Sequence, residues 1–138
     1  MIRIVTESMS DFTQEEAKAA DLIVMPLPIR FGMEEYWDDG VSLTQDDFYA
    51  RLRVAKELPK TSQVPVEHYR KCFNRLLENP EDEVLVITGS SKLSGCYQSA
   101  CIAREACHDP ARVTVLDSLN ATCAEYMLVD QALRYRRE

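Results

Sequence analysis

The stretch Val84-Leu85-Val86-Ile87-Thr88, followed at once by Gly89-Ser90-Ser91-Lys92-Leu93-Ser94-Gly95, decides the fold. A short run of apolar, mostly β-branched residues predicts a strand buried on both faces, which is typical of parallel sheets. The small and hydroxyl-bearing residues after it predict a turn into a helix, and apolar residues recur at helical spacing through Tyr97 and Ala100. A strand that leads directly into a helix indicates a βαβ unit.

Other segments repeat this alternation of strand and helix. Helices are predicted from the capping box Thr13 to Glu16, from Pro65, and from about Ala121 to Arg137. Short apolar runs predict further strands over residues 2–6, 22–25 and 113–116. Alternation of this kind places helices on both faces of one sheet. We therefore expect a single domain over residues 1–138, with a three-layer α/β/α fold and a mainly parallel sheet.

The region between residues 26 and 64 is less regular. Because proline lacks an amide donor, Pro28 to Phe31 is predicted to be an edge strand. The polar residues Lys60 to Gln63 are predicted to form a loop. Thr44 is predicted to cap a helix that carries Phe48 and Leu52 on one face.

Composition excludes several classes of function. Sixteen basic residues against 23 acidic ones give a formal net charge of -7, which disfavours nucleic acid and anionic membrane surfaces as partners. The five cysteines form no CxxC pair and the two histidines lie at no metal-ligand spacing, so neither a zinc site nor a disulfide framework is expected. Polar residues follow directly after Met1 to Thr6, and no stretch reaches the roughly 20 apolar residues of a membrane span. We expect a cytoplasmic protein without membrane insertion.

Three hydroxyl-rich segments follow predicted strands or precede predicted helices: residues 6–11, 60–63 and 88–95. Ligands of open parallel sheets bind beyond the carboxyl ends of the strands, and helix N-termini attract anions. The three segments are therefore expected to form a neutral cradle for a carboxylate or phosphate. Serine and threonine also gather at strand ends and helix caps for structural reasons alone, and that alternative stays open.

Catalysis is not expected. Neither His68 nor His108 lies in the hydroxyl-rich segments, and serine without a base is a weak nucleophile. No P-loop or GxGxxG fingerprint occurs. A further set of carboxylates is interpreted as solvated surface rather than as a metal cluster: Glu34, Glu35, Asp38, Asp39, Asp46 and Asp47.

An ordered series of segments covers the whole chain and resembles the motifs of the DegV family, in its N-terminal domain. The matching segments are Thr6-Glu7-Ser8-Met9-Ser10-Asp11-Phe12, Pro26-Leu27-Pro28-Ile29-Arg30-Phe31-Gly32, Tyr36-Trp37-Asp38-Asp39-Gly40, Phe48-Tyr49, Pro59-Lys60-Thr61-Ser62-Gln63, Ser90-Ser91-Lys92-Leu93-Ser94-Gly95-Cys96-Tyr97-Gln98-Ser99-Ala100 and Asp117-Ser118.

This resemblance implies a two-domain bacterial protein that holds one long-chain fatty acid and presents it to a separate fatty acid kinase subunit, as a carrier rather than a catalyst. Thr61, Ser94 and Gly95 match the positions expected to bind the carboxylate. Three further residues are expected to support these loops: Ser62, Gln63 and Ser91. No cofactor and no metal are expected.

The sequence also departs from the family pattern. Glu7 replaces an aspartate, Cys96 replaces a threonine, Val64-Pro65-Val66 stands where the family tends to have Pro-Ser/Thr-Pro, and residues 120–124 lack the glycine-rich helix start. The family's C-terminal domain is expected to be absent from these 138 residues. Because each unburied CH₂ forfeits roughly 0.8 kcal/mol, half a pocket should bind lipid weakly. Either the chain is an excised domain, or it is a remnant that a homodimer or a partner is expected to complete.

Two other functions stay open. The domain could be a lipid-free interaction module or remnant that binds a partner protein or self-associates through an exposed apolar cleft. It could also be a small enzyme or binder of phosphorylated ligands that uses the helix start at residues 90–95.

Overall fold

The computed structural model describes residues 1–138. In chain order its elements are β1 (Ile2–Glu7), α1 (Gln14–Ala19), β2 (Leu22–Met25), β3 (Pro28–Phe31), β4 (Glu34–Trp37), α2 (Gln45–Val54), β5 (Lys60–Thr61), α3 (Val66–Leu76), β6 (Glu83–Thr88), α4 (Cys96–Glu105), β7 (Val113–Asp117) and α5 (Thr122–Arg137).

Four strands form a fully parallel sheet in the order β2-β1-β6-β7. The α3 and α4 helices cover one face, where Tyr69 and Phe73 join Val86 in the larger core cluster. The α1 and α5 helices cover the other face, where Ala17 and Val129 join the smaller cluster. The predicted three-layer α/β/α fold with a mainly parallel sheet is confirmed.

A second, antiparallel sheet has the order β4-β3-β5. The β3 strand is its middle strand, so the predicted edge position is wrong. Pro28 stands at the first residue of the strand, and the remaining residues supply the donors for both neighbours. The loop prediction is also wrong for Lys60 and Thr61, which pair with Arg30 and Ile29. A two-residue strand of exposed polar side chains exists only through this pairing and has no sequence pattern of its own.

Local capping signals are confirmed. The Thr13 hydroxyl accepts the Glu16 amide, and the Glu16 carboxylate accepts the Thr13 amide at 2.9 Å. The Thr44 hydroxyl likewise accepts the Asp47 amide at 3.2 Å and begins α2. No residue of α2 is fully buried, and Phe48 packs edge-to-face on Phe31 at 5.8 Å between ring centroids.

Candidate functional site

The site lies where the parallel sheet changes direction. From β1 the chain moves to β2 on one side, and β6 lies on the other side of β1. The loops that follow two such strands leave a crevice at their carboxyl ends, which is where open α/β sheets bind ligands. Here the crevice is a groove of about 170 Å³, which we call the β1–β6 groove. Its lining consists of Met9, Leu27, Thr61, Ser62, Gln63, Leu93, Ser94 and Gly95.

Main-chain hydrogen bonds fix the two hydroxyl-bearing walls of this groove. The Ser62 amide donates to the Pro28 carbonyl at 3.2 Å, which continues the pairing of β5 with β3 and holds Thr61 at the rim. On the opposite wall, the Ser94 amide donates to the Ser90 carbonyl at 3.0 Å. The turn is closed further by the Cys96 amide, which donates to Ser94 Oγ at 3.2 Å.

Donors for an anion remain at both walls. Ser94 Oγ accepts a hydrogen bond, so its own hydrogen can still point to a ligand, and the Thr61 hydroxyl has no partner within the protein. The amides of Tyr97 and Gln98, in the first turn of α4, have no acceptor either. The dipole of α4 adds positive potential at this end. None of the eight lining residues is ionisable, so the groove presents these donors without any charged side chain.

The structure brings together five of the six residues singled out from the sequence. Thr61, Ser62, Gln63, Ser94 and Gly95 all line the groove. The exception is the sixth residue, Ser91, whose amide donates to Asp117 Oδ1 at 3.1 Å and whose side chain is exposed outside the groove. This hydrogen bond connects the loop after β6 to the end of β7.

The hydroxyl-rich segment after β1 does not contribute hydroxyls to the groove. Thr6 Oγ1 donates to Glu125, and Ser10 Oγ donates to the Glu7 carbonyl at 2.8 Å. The Ser8 hydroxyl accepts the Leu27 amide at 3.1 Å. The expected cradle of three hydroxyl segments is therefore wrong for this one, where the structural alternative holds.

Apolar side chains, and not these hydroxyls, complete the lining of the β1–β6 groove. Met9, Leu27 and Leu93 line the groove and were not singled out as site residues from the sequence. Leu93 lies in the turn before α4, which begins only at Cys96. The position just before a helix leaves the Leu93 side chain 71% exposed.

A larger hollow of about 450 Å³ lies elsewhere, between α2 and the turn that joins β3 to β4. Phe31, Arg51 and Val54 are among its lining residues, and none of the six predicted site residues is. Its greater volume does not make it the better candidate, because it lies away from the carboxyl ends of the parallel strands.

Two carboxyl groups, those of Glu7 and Glu125, are buried behind the β1–β6 groove, and no local sequence pattern indicates their burial. Burial raises the pKa of Glu7 to about 7, although hydrogen bonds from the Gly89 amide and the Tyr69 hydroxyl oppose this rise. Burial, and next the charge of Glu7, raise the pKa of Glu125 to about 8. Burial also raises the pKa of the Cys96 thiol nearby, so it is a neutral packing group at pH 7.

No group of three or more histidine, cysteine, aspartate or glutamate side chains is arranged to hold a metal ion. None of the helices combines the length and the apolar character needed to cross a membrane.

Sequence comparison places the chain among known proteins. A family model described as "Uncharacterised protein, DegV family" matches residues 1–138. The chain belongs to the DegV family. A DegV domain-containing protein of Caldanaerobacter subterraneus is 39% identical over 133 residues, which are 96% of this chain and 46% of the relative. A fatty acid-binding protein of Thermotoga maritima is 35% identical over 130 residues, 89% of this chain and 42% of the relative.

Solved DegV-type structures have the same fold. The crystal structure of a stearic acid-binding protein from Eubacterium ventriosum superposes with a TM-score of 0.90 at 31% identity, over 99% of this chain and 48% of that one. This DegV chain thus spans about half the length of the relatives it matches.

Proposed function

We propose that this DegV domain holds the carboxylate of a long-chain fatty acid in the β1–β6 groove. The observation that carries the proposal is the convergence of Thr61, Ser94 and Gly95 at the N-terminus of α4, with unused hydroxyl and amide donors and no competing charge. Charge-assisted hydrogen bonds from such donors are the strong kind for a carboxylate. The relatives named as fatty acid-binding proteins support this ligand class.

The acyl chain needs more apolar surface than the groove supplies. A volume of about 170 Å³ suits a carboxylate and its first methylenes, since a single water takes up about 30 Å³ of liquid. Leu93 and Leu119 lie 71% and 65% exposed on adjoining loops at the same end of the sheet. We propose that this apolar rim contacts the rest of the chain once a second domain, as in the longer relatives, or a second copy covers it.

The proposed role is that of a carrier and not of a catalyst. The groove lining contains no general base or nucleophile with a base beside it, and His68 and His108 lie outside it. As a carrier, the domain would present the fatty acid in the cytoplasm to a separate ATP-dependent kinase that phosphorylates the carboxylate. The kinase step follows from the family resemblance alone and is tested by whether such an enzyme accepts the loaded protein as substrate.

Native mass spectrometry of the purified chain, followed by identification of any released lipid, tests the ligand. Thr61→Ala and Ser94→Ala are expected to lower fatty-acid affinity roughly tenfold to a hundredfold each, because each removes a hydrogen bond to a charged group. Thr114→Ala and Ser91→Ala are the matched controls, since both side chains are exposed outside the groove. Unchanged lipid content in both groove variants would remove these residues from the site.

A second candidate function is a lipid-free interaction module. The exposed Leu93 and Leu119 side chains favour it, because apolar side chains together on one end of a domain promote association. Concentration-dependent dimerisation of a protein that takes up no added fatty acid, lost in the Leu93→Ser and Leu119→Ser double variant, would support this function over the carrier role.

A further inference from the structure

Two glutamate side chains from distant parts of the chain meet in the interior. Glu7 ends β1 and Glu125 lies in the first turn of α5, and both are fully buried. Oε1 of Glu7 accepts the Gly89 amide, and its Oε2 accepts the Tyr69 hydroxyl at 3.3 Å. Oε1 of Glu125 accepts the Thr6 hydroxyl at 3.1 Å. The remaining oxygen, Oε2 of Glu125, is buried without any partner.

Gly89 shows that the two carboxyl groups face one small space. The point where a Cβ of residue 89 would stand lies 3.0 Å from Glu7 Oε1 and 3.2 Å from Glu125 Oε2. The sulfur of Met9 closes the space from the side of the β1–β6 groove. The absence of a side chain at position 89 is what allows both carboxyl groups to approach.

No positive charge balances this pair. The titratable groups that face it are Tyr69 from α3, Cys96 from α4 and Asp11 from the loop after β1, and none of them is basic. No lysine, arginine or histidine forms an ion pair with Glu7 or Glu125. Two ionised carboxylates close together in a medium of low dielectric repel each other strongly, and such pairs retain a proton.

We propose that Glu7 and Glu125 share one proton at neutral pH and that this proton fastens the start of α5 to the ends of β1 and β6. The unpartnered oxygen of Glu125 is the natural place for it, since protonation removes the charge from a buried oxygen that no donor stabilises and turns it into a donor facing the Glu7 carboxyl group. Loss of the proton in mild alkali leaves two facing charges and drives Glu125 towards solvent, which loosens the first turn of α5. We call this Glu7–Glu125 pair the proton-sensitive latch. Because both of its groups lie inside the domain, it does not depend on lipid binding.

Carbon-13 NMR of glutamate-labelled protein tests the latch directly. In the wild type we expect one glutamate carboxyl group to remain protonated at pH 7 and its carbon signal to titrate near pH 8, well above the ordinary glutamate pKa of 4.5. Glu125→Gln keeps the size of the side chain and an acceptor for Thr6, and it should remove that signal. The matched control Glu35→Gln, at an exposed position of β4, should leave the signal in place.

Hydrogen exchange of the first α5 amides supplies the structural readout. After correction for the intrinsic rate, protection of these amides should fall at least tenfold across the same titration in the wild type and stay level in Glu125→Gln. If every glutamate of the wild type titrates below pH 6, or if the loss of protection between about pH 7 and about pH 9 persists in Glu125→Gln, the latch does not exist. Stabilisation of the wild type but not of Glu125→Gln by added Ca²⁺ would also overturn it, because a cation would then balance the pair.

The NMR titration of the wild type decides the proposal even if Glu125→Gln fails to fold. It is equally independent of the carrier role, since a protein that binds no fatty acid can still show the shifted carboxyl signal. Conversely, a lipid-binding protein without that signal would retain its proposed function and lose only the latch.

Discussion

The side chain of Gln63 lies directly over Gly95. A Cβ at position 95 would stand 2.8 Å from both Cδ and Oε1 of Gln63, which is closer than side-chain atoms pack. The contact joins the segment after β5 to the start of α4, the two walls that carry Thr61 and Ser94. The width of the proposed carboxylate site therefore depends on a glycine at position 95.

Gly95→Ala is expected to displace the Gln63 amide and to reduce fatty-acid affinity about tenfold, since about 1.4 kcal/mol of binding free energy corresponds to that factor. Gly95 has φ -80°, which alanine adopts readily, so the fold should be kept. Isothermal titration with a fatty acid measures the effect.

The double variant Gly95→Ala with Gln63→Ala is the control for this contact. Removing the glutamine side chain takes away the clash, so the double variant should bind better than Gly95→Ala alone. An additive loss in the double variant would mean that the two residues act independently.

Gly89→Ala is expected to destabilise the fold by about 1–3 kcal/mol, the usual cost of adding a methyl group to a packed interior. The added carbon would overlap Met9 Sδ and lie against both buried carboxyl groups. Urea unfolding measures the loss, and Gly95→Ala serves as the matched control because its neighbour, Gln63, is exposed and can move. Equal stability of the two variants would contradict the close packing around Gly89.

Local signals explain what could be predicted from the sequence. The capping box at Thr13 and Glu16 is complete within four residues. In α3, the helical spacing of Tyr69, Phe73 and Leu76 predicts which face of the helix is buried. Because local patterns of this kind predict most of the strands and helices, their alternation predicts the α/β fold. Thr61 and Ser94 could be singled out because each lies in a distinctive segment that resembles the family.

Features that depend on distant partners could not be predicted. The β5 strand exists because Lys60 and Thr61 pair with β3, about thirty residues earlier in the chain. Glu7 reads as one polar residue in a polar segment, and only the fold brings it to Glu125 beside Gly89. Its replacement of the family aspartate was visible in the sequence, but the burial of its longer side chain was not.

Thr122→Gly is expected to stabilise the protein by about 1 kcal/mol. Thr122, the first residue of α5, has φ 53°, and a β-branched side chain is strained in this left-handed region. Its side chain is exposed, so glycine loses no packing there. Thr114→Gly, in β7, should instead destabilise, because glycine weakens a strand. A lower midpoint of urea unfolding for Thr122→Gly would show that the strain is absent.

The free energy of unfolding is expected to fall as pH rises from about 4.5 to about 8. Glu7 and Glu125 have pKa values raised to about 7 and about 8 in the folded protein, against 4.5 for an ordinary glutamate. Within this interval the folded state binds more protons than the unfolded chain, so added base favours unfolding. At about 1.4 kcal/mol for each pKa unit, the rise of the two pKa values from 4.5 to about 7 and to about 8 corresponds to a total change on the order of 8 kcal/mol.

Urea unfolding of the wild type and of Glu125→Gln at several pH values distinguishes the contributions of Glu7 and Glu125 to the pH dependence of stability. With an uncharged residue at position 125, the fall should become shallower and end near pH 7, where Glu7 loses its proton. The exposed control Glu35→Gln should follow the wild type, because this side chain lies on the surface of β4, outside the buried pair. Parallel curves for wild type and Glu125→Gln would mean that Glu125 is already ionised at neutral pH. Its buried and unpartnered oxygen would then need a neutralising group that the surrounding side chains do not provide.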